Sequence, residues 1–177
     1  MDTQAGNIPP NYQPLQGSDR QPAPNARRIG PADPNETLNI TISLRRRPDG
    51  PPLPDADHIT GTPAISRPNL SAAEYTARYG ADPADITRVV AFVEKMGLKV
   101  EETHADQRTI IVSGTVTQMS AAFAVQLGCY EQAAVSGQEA ESGTYRGREG
   151  SIYIPGDLTG IIVGVFGLDN RRMARRH

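Results

Sequence analysis

The chain has 177 residues, enough for one domain with a real core and tails, yet only 5% are aromatic while 17 are glycine and 15 proline, so the core is modest and loops are plentiful. The formal charge of −2 is unevenly placed: four arginines follow the last acid, Asp169, which leaves 14 basic residues against 20 acids, or −6, over residues 1–170. An acidic body argues against a nucleic-acid partner, one cysteine excludes an internal disulfide framework, no apolar run reaches the 18 residues of a membrane span, and the start lacks the basic and apolar regions of an ordinary signal peptide.

Residues 1–36 are Pro-rich with little apolar material, which predicts a disordered leader that cannot offset its ordering entropy. A Pro-rich ligand would need a PxxP core, and none is convincing. Residues 37–46 predict a strand, because Leu38, Ile40, Ile42 and Leu44 alternate with Asn39, Thr41, Ser43 and Arg45. Arg45, Arg46 and Arg47 read as a solvated strand end. Residues 48–68 form a long Pro-rich connection. His58 lies there beside Asp55 and Asp57, too few ligands without a rigid frame, so a surface histidine is expected rather than a metal site.

Ser71 with Glu74 has the spacing of a capping box and opens a short helix that Gly80 stops. Asp82, Pro83 and Asp85 open a longer one, with Ile86, Val89, Val90, Val93 and Met96 as its apolar stripe and Gly97 at its end. Helix capping accounts for both Asp82 and Asp85 without acid–base chemistry. Residues 98–104 predict a strand with Leu98 and Val100 inward, joined by a short turn to a second, β-branched strand over 109–113. Thr115 and Gln118 make another capping box, opening a helix over 115–127 whose face carries Val116, Met119, Phe123 and Leu127. Residues 129–131 enter a fourth strand. A polar excursion over 132–142 follows, then short extended pieces at 144–146 and 151–154, then an apolar, glycine-bearing stretch over 155–167.

The order β-α-β-β-α-β predicts an α+β, ferredoxin-like domain: a four-stranded antiparallel sheet with two helices on one face. Strand parity points Ile40, Ile42, Val100, Ile110 and Val112 at the helices. It points Asn39, Thr41, Ser43, Lys99, Glu101, Thr103, Thr109, Ile111 and Ser113 the other way. That second face is flat and polar with one apolar residue, Ile111, and suits docking on a partner's helices. Plain solvent exposure is the simpler alternative.

The search for chemistry finds little. Cys129 is expected to face the core near Leu127 as an inert thiol. Residues 164–167 match a bare GXXG, but Val165 and Phe166 between the glycines read as core rather than as a nucleic-acid clamp. The expected outer face has no aromatics for stacking bases, and no arginine stands at a strand–helix turn to form a phosphate loop. No catalytic residue, cofactor or metal is assigned, and fold alone supplies no function.

LSAAEYTARYGADPADITRVVAFVEKMGLKV at residues 70–100, TIIVSGTVTQMSAAFAVQLGCY at 109–130 and TYRGREGSIYIPGDLTGIIVGVFGLDNRR at 144–172 carry a family pattern. Its marks are Tyr79-Gly80, Ser113-Gly114, Ala122-Phe123, Tyr145-Arg146 and the GLDNR run over 167–171. Over residues 37–172 the chain resembles the activation domain of pro-kumamolisin-type sedolisins, the serine-carboxyl peptidases. The resemblance implies a propeptide of a secreted peptidase, one that helps the protease fold, covers its cleft and is removed at acidic pH. The family's Ser-Glu-Asp set, oxyanion aspartate and calcium site belong to the peptidase domain, so no catalytic residue is carried over to this chain.

The implied division is a leader over 1–36, an activation domain over 37–170 and a linker over 171–177. In the linker, Arg171, Arg172, Arg175 and Arg176 would cross the cleft, and His177 would be a candidate processing point. Lys99, Glu101 and Ile111 would form the docking face. The expected partner is the cognate peptidase domain, with no nucleic acid and no membrane. A small-ligand or protein-interaction module on the same fold is the alternative.

Overall fold

The computed structural model describes residues 8–52, 70–132 and 143–171. Strand β3, Thr37–Leu44, is the central element. It pairs antiparallel with β5, Thr109–Thr115, on one side and β9, Ile162–Phe166, on the other, while β4, Lys99–His104, pairs with β5. The sheet order is β4-β5-β3-β9. The period-two pattern of β3 is realised: Leu38, Ile40, Ile42 and Leu44 are buried while Thr37 and Asn39 are exposed. Ile40 and Ile42 lie opposite Val112 and Ile110.

Two helices supply the rest of that core. In α2, Pro83–Lys95, Val89 and Val93 are fully buried; in α3, Val116–Phe123, so are Met119, Ala122 and Phe123. Phe92 meets Phe123 edge-on at 6.2 Å between ring centres, a favoured aromatic geometry. Each helix start is capped as its sequence specifies. The Ser71–Glu74 box opens α1, Ala72–Tyr79; the Asp82 carboxylate accepts from the Ala84 N–H at 2.8 Å; and the Thr115–Gln118 box opens α3. The architecture is α+β with three helices and antiparallel sheets among the described residues, consistent with the ferredoxin-like plan.

Several expectations need correction. Residues 128–132 do form a strand, β6, Gly128–Gln132, but in a second sheet of order β2-β6-β7, with β2 at Ala26–Pro31 and β7 at Gly143–Gly147. The fourth place beside β3 belongs to β9. A register shift opposite Ser43 and Leu44 places Ile162 and Val165 both inward, so β9 lacks the clean alternation that would have marked it. Helix α3 stops at Phe123, earlier than its periodicity suggests, because Ala124 turns left-handed at φ 46°. Leu127 is still buried, but from the chain beyond the helix.

The leader is not disordered from residue 8 onward. Strand β1, Tyr12–Pro14, pairs with β8, Tyr153–Pro155, and β2 pairs with β6. These strands are held largely by backbone hydrogen bonds and have no buried residue of their own; the buried side chains of the segment, Leu15, Ala23 and Ala32, lie beside them. Backbone pairing leaves no hydrophobic period, and prolines fit edge strands, so composition alone misread this segment. The arginine triplet is not simply solvated either. Arg45 forks onto buried Asp85 at 2.7 and 3.1 Å, Arg46 lies over the Tyr79 ring, and Arg47 pairs with Asp49 and donates to the Ala77 carbonyl. Asp85 therefore holds α2 to the end of β3 beyond any role at the helix start. The 53–69 segment with Asp55, Asp57 and His58 lies outside the described residues.

Arg146 joins the two sheets. From β7 its guanidinium pairs with Glu36, just before β3, and donates to the carbonyls of Leu168 at 3.1 Å and Gly167 at 3.3 Å, just after β9. The Arg146 backbone exchanges hydrogen bonds with Asn170, at 2.6 Å to its side chain and 3.0 Å from its N–H.

Two stability outcomes are expected. Phe123→Ala should lose about 3–5 kcal/mol in denaturant unfolding, as large-to-small core changes do; a loss below about 1 kcal/mol would mean the ring does not fill the core. Arg146→Lys keeps the charge but not the fork, so about 1 kcal/mol should go as the partly buried acceptors lose a donor. Unchanged unfolding for that variant would remove Arg146 as the joint.

Candidate functional site

The helices cover one face of the β4-β5-β3-β9 sheet and leave the other open among the described residues. Cross-strand register arranges that open face in rows. One row runs Glu102, Ile111, Thr41, Phe166; a second runs His104, Thr109, Ser43, Gly164; a third runs Lys99, Ser113, Asn39. The middle is low, because β3 contributes only Asn39, Thr41 and Ser43. Bulk stands at both edges.

Of the three residues assigned to docking, Lys99 and Glu101 lie on the β4 edge and Ile111 on the neighbouring β5. Lys99 donates to Glu101 at 2.8 Å, and Ser113 donates to the other oxygen of Glu101 at 2.5 Å. Ile111, half-buried, sits one row away. The Lys99 ammonium, followed by the Ser113 hydroxyl, holds the Glu101 carboxyl below the usual carboxylate range. A bulge between Val100 and Glu102 changes the parity of this strand, so Thr103 pairs with inward-facing Ile110 rather than continuing the outer row. Glu102 and His104 take the outward positions instead, in adjacent rows, with their side chains 2.8 Å apart.

The β9 edge was missed. Phe166 is 59% exposed and Val163 52% exposed. The Phe166 ring lies close to Gly164, where an added Cβ would sit 2.7 Å from the ring. Reading the GXXG dipeptide as core was right for Val165, which is 8% exposed, and wrong for Phe166. The outer face therefore carries an aromatic that the sequence reading denied it. The usable signal was the single-residue step from inward Val165 to outward Phe166.

Other assigned positions fall elsewhere. Arg171 is engaged rather than free: its N–H is capped by Asp169 at 2.7 Å and its guanidinium reaches the Gln21 carbonyl at 3.3 Å. Arg172, Arg175, Arg176 and His177 lie outside the described residues. Cys129 is half-buried opposite Arg146, not in the core. Among the described residues no three His, Cys, Asp or Glu side chains gather as a metal site requires. No helix there is long and apolar enough to cross a membrane.

The sequence motifs prove to be packing devices. Gly114 leaves room for Leu98, whose Cδ2 would lie 2.4 Å from an added Cβ. Tyr145 stacks on Tyr130 at 5.3 Å, and its hydroxyl accepts from the Ala23 N–H at 3.0 Å. Gly167 combines φ of +102° with the Asn39 carbonyl 2.7 Å from where a Cβ would stand, so only glycine fits between β9 and the Arg146 joint.

Comparison with known proteins agrees with these motifs. The family model described as pro-kumamolisin, activation domain, matches residues 24–171. Tripeptidyl-peptidase sed5 of Aspergillus fumigatus is 33% identical over 166 residues, covering 89% of this chain and 28% of that protein. Kumamolisin of Bacillus sp. (strain MN-32) is 28% identical over 163 residues, covering 92% of this chain and 28% of that protein. The chain thus spans little more than a quarter of the length of these two relatives and corresponds to a propeptide region rather than a catalytic domain. With its motifs, its fold and the matched span in agreement, the chain belongs to the pro-kumamolisin activation domain family.

Proposed function

We propose that this chain inhibits a secreted, acid-acting serine-carboxyl endopeptidase, assists its folding, and is removed on activation. The match of an activation-domain family to residues 24–171 carries this reading, and a sheet face left open by its own helices gives it a docking surface. The partner is the cognate peptidase domain. Any calcium ion would belong to that domain, and the segment from Arg171 onward would lead past its cleft.

The physical basis is linkage. A module that binds the folded peptidase and not its unfolded chain stabilises the folded form by mass action. Covalent attachment raises its effective concentration and strengthens both folding assistance and inhibition until the link is cut.

Docking places Ile111, half-buried at the middle of the open face, against the peptidase. Ile111→Arg should weaken inhibition in a titration against the mature cognate peptidase by at least about tenfold, the usual mark of an interface residue that matters. The melting temperature of the isolated chain should stay the same. Unchanged inhibition would move the docking surface elsewhere.

Acid should weaken the complex modestly while circular dichroism still reports a folded chain, because carboxylates at the contact lose their charge. The sign for Glu101 follows from its lowered value. Its favourable contribution is complete above the ordinary glutamate range and is lost only as pH falls through the lowered one. Glu101 should therefore titrate below the exposed glutamates by carboxyl NMR, and Lys99→Ala should move it up toward them. Release that tracks unfolding, or Glu101 titrating with the rest, would sink the switch.

A further inference from the structure

Phe166 is an exposed aromatic with a built seat. The residue is 59% exposed, yet its ring lies close against Gly164. An alanine there would push its Cβ to within 2.8 Å of two ring carbons. The bare Gly164 backbone thus leaves the space that the ring occupies, and a side chain there would displace it. Next to it in the row stands Thr41, then Ile111, with no bulky group between. Val163, also exposed, extends the apolar character along the same strand.

The two edges of the open face differ in kind. The β4 edge carries Lys99, Glu101, Glu102 and His104, paired among themselves by contacts of 2.8 Å. The β9 edge carries Phe166 and Val163. Charged pairs at an exposed rim add little affinity because water already serves them. A rigid aromatic at a contact contributes more, since it removes a large apolar area from water with little rotamer entropy to lose.

We infer that Phe166, seated on Gly164, is the apolar anchor by which the open sheet face binds its peptidase, with the β4 edge setting orientation rather than affinity. The inference rests on the docking reading above. The occupant is the peptidase domain because the relatives are named peptidases and extend far beyond this chain, which spans 28% of each. The partner must accordingly present an apolar depression to β9 and polar groups to β4.

The test is an inhibition titration of the full chain against the mature cognate peptidase, with Phe166→Ala, Phe166→Leu, Ile111→Arg and Lys99→Ala as variants. Melting curves and sedimentation accompany each. Phe166→Ala should weaken inhibition by at least about tenfold, Phe166→Leu by less, and Lys99→Ala by no more than about fivefold. All four should melt near the parent. If Ile111→Arg weakens inhibition and Phe166→Ala does not, the anchor is overturned and docking through the face stands. If neither changes inhibition by the parent chain, the docking reading fails and the anchor with it. If Lys99→Ala costs more than Phe166→Ala, affinity resides in the charged edge and the inference is wrong. Self-association that Phe166→Ala abolishes, with inhibition unaltered, would assign the ring to a second copy of this chain and overturn it as well.

Discussion

The forked contact of Arg146 is the constraint on which the rest depends. One planar cation on β7 holds Glu36 before the central strand and two carbonyls after β9, so one side chain ties three separate stretches of the chain together. The geometry demands a guanidinium, whose donors are set in a rigid fork. It also demands Gly167, because any Cβ there would strike the Asn39 carbonyl and deny the chain its path to the joint. Motifs far apart in sequence, Tyr145-Arg146 and the GLDNR run, are thus two halves of one contact.

The central strand divides the molecule's labour. Its inward side chains, Leu38 to Leu44, commit the helices to one face and create the main core. Its outward side chains are all small, so the other face stays low in the middle and takes its character from the edge strands. An activation domain placed against a larger protein gains from that division. The core is built from this chain's own residues, and the outward side chains of β4 and β9 can be altered without touching it.

Residues with strong periodicity were legible in the sequence. The capping boxes, the alternation of β3 and the stripe of α2 reflect local physics and survive intact in the fold. Long-range pairings were not legible. Strand β2 pairs with β6 through backbone groups that every residue carries, so nothing in its side chains announces the partner. Strand β9 is short and its register shifts, which hid both its place beside β3 and the outward turn of Phe166. The Glu101–Lys99–Ser113 cluster was half visible: parity put all three on one face, but the bulge that moves Thr103 off the outer rows is set by tertiary pairing. Asp85 shows the same limit. Its position suited a helix start, and only the approach of Arg45, forty residues earlier, reveals its ion pair.

The pairing of β1 with β8 has a kinetic side. Tyr12 lies opposite Pro155, so the first strand made waits for a partner made 143 residues later (155 − 12). At roughly 5–20 residues per second that wait is on the order of ten seconds. The arm remains an unpaired edge throughout, and closing so wide a loop belongs to the slow class of folding events. Its prolines and its shortness are then more than tolerated. They keep a waiting strand from pairing with its counterpart on a neighbouring nascent chain.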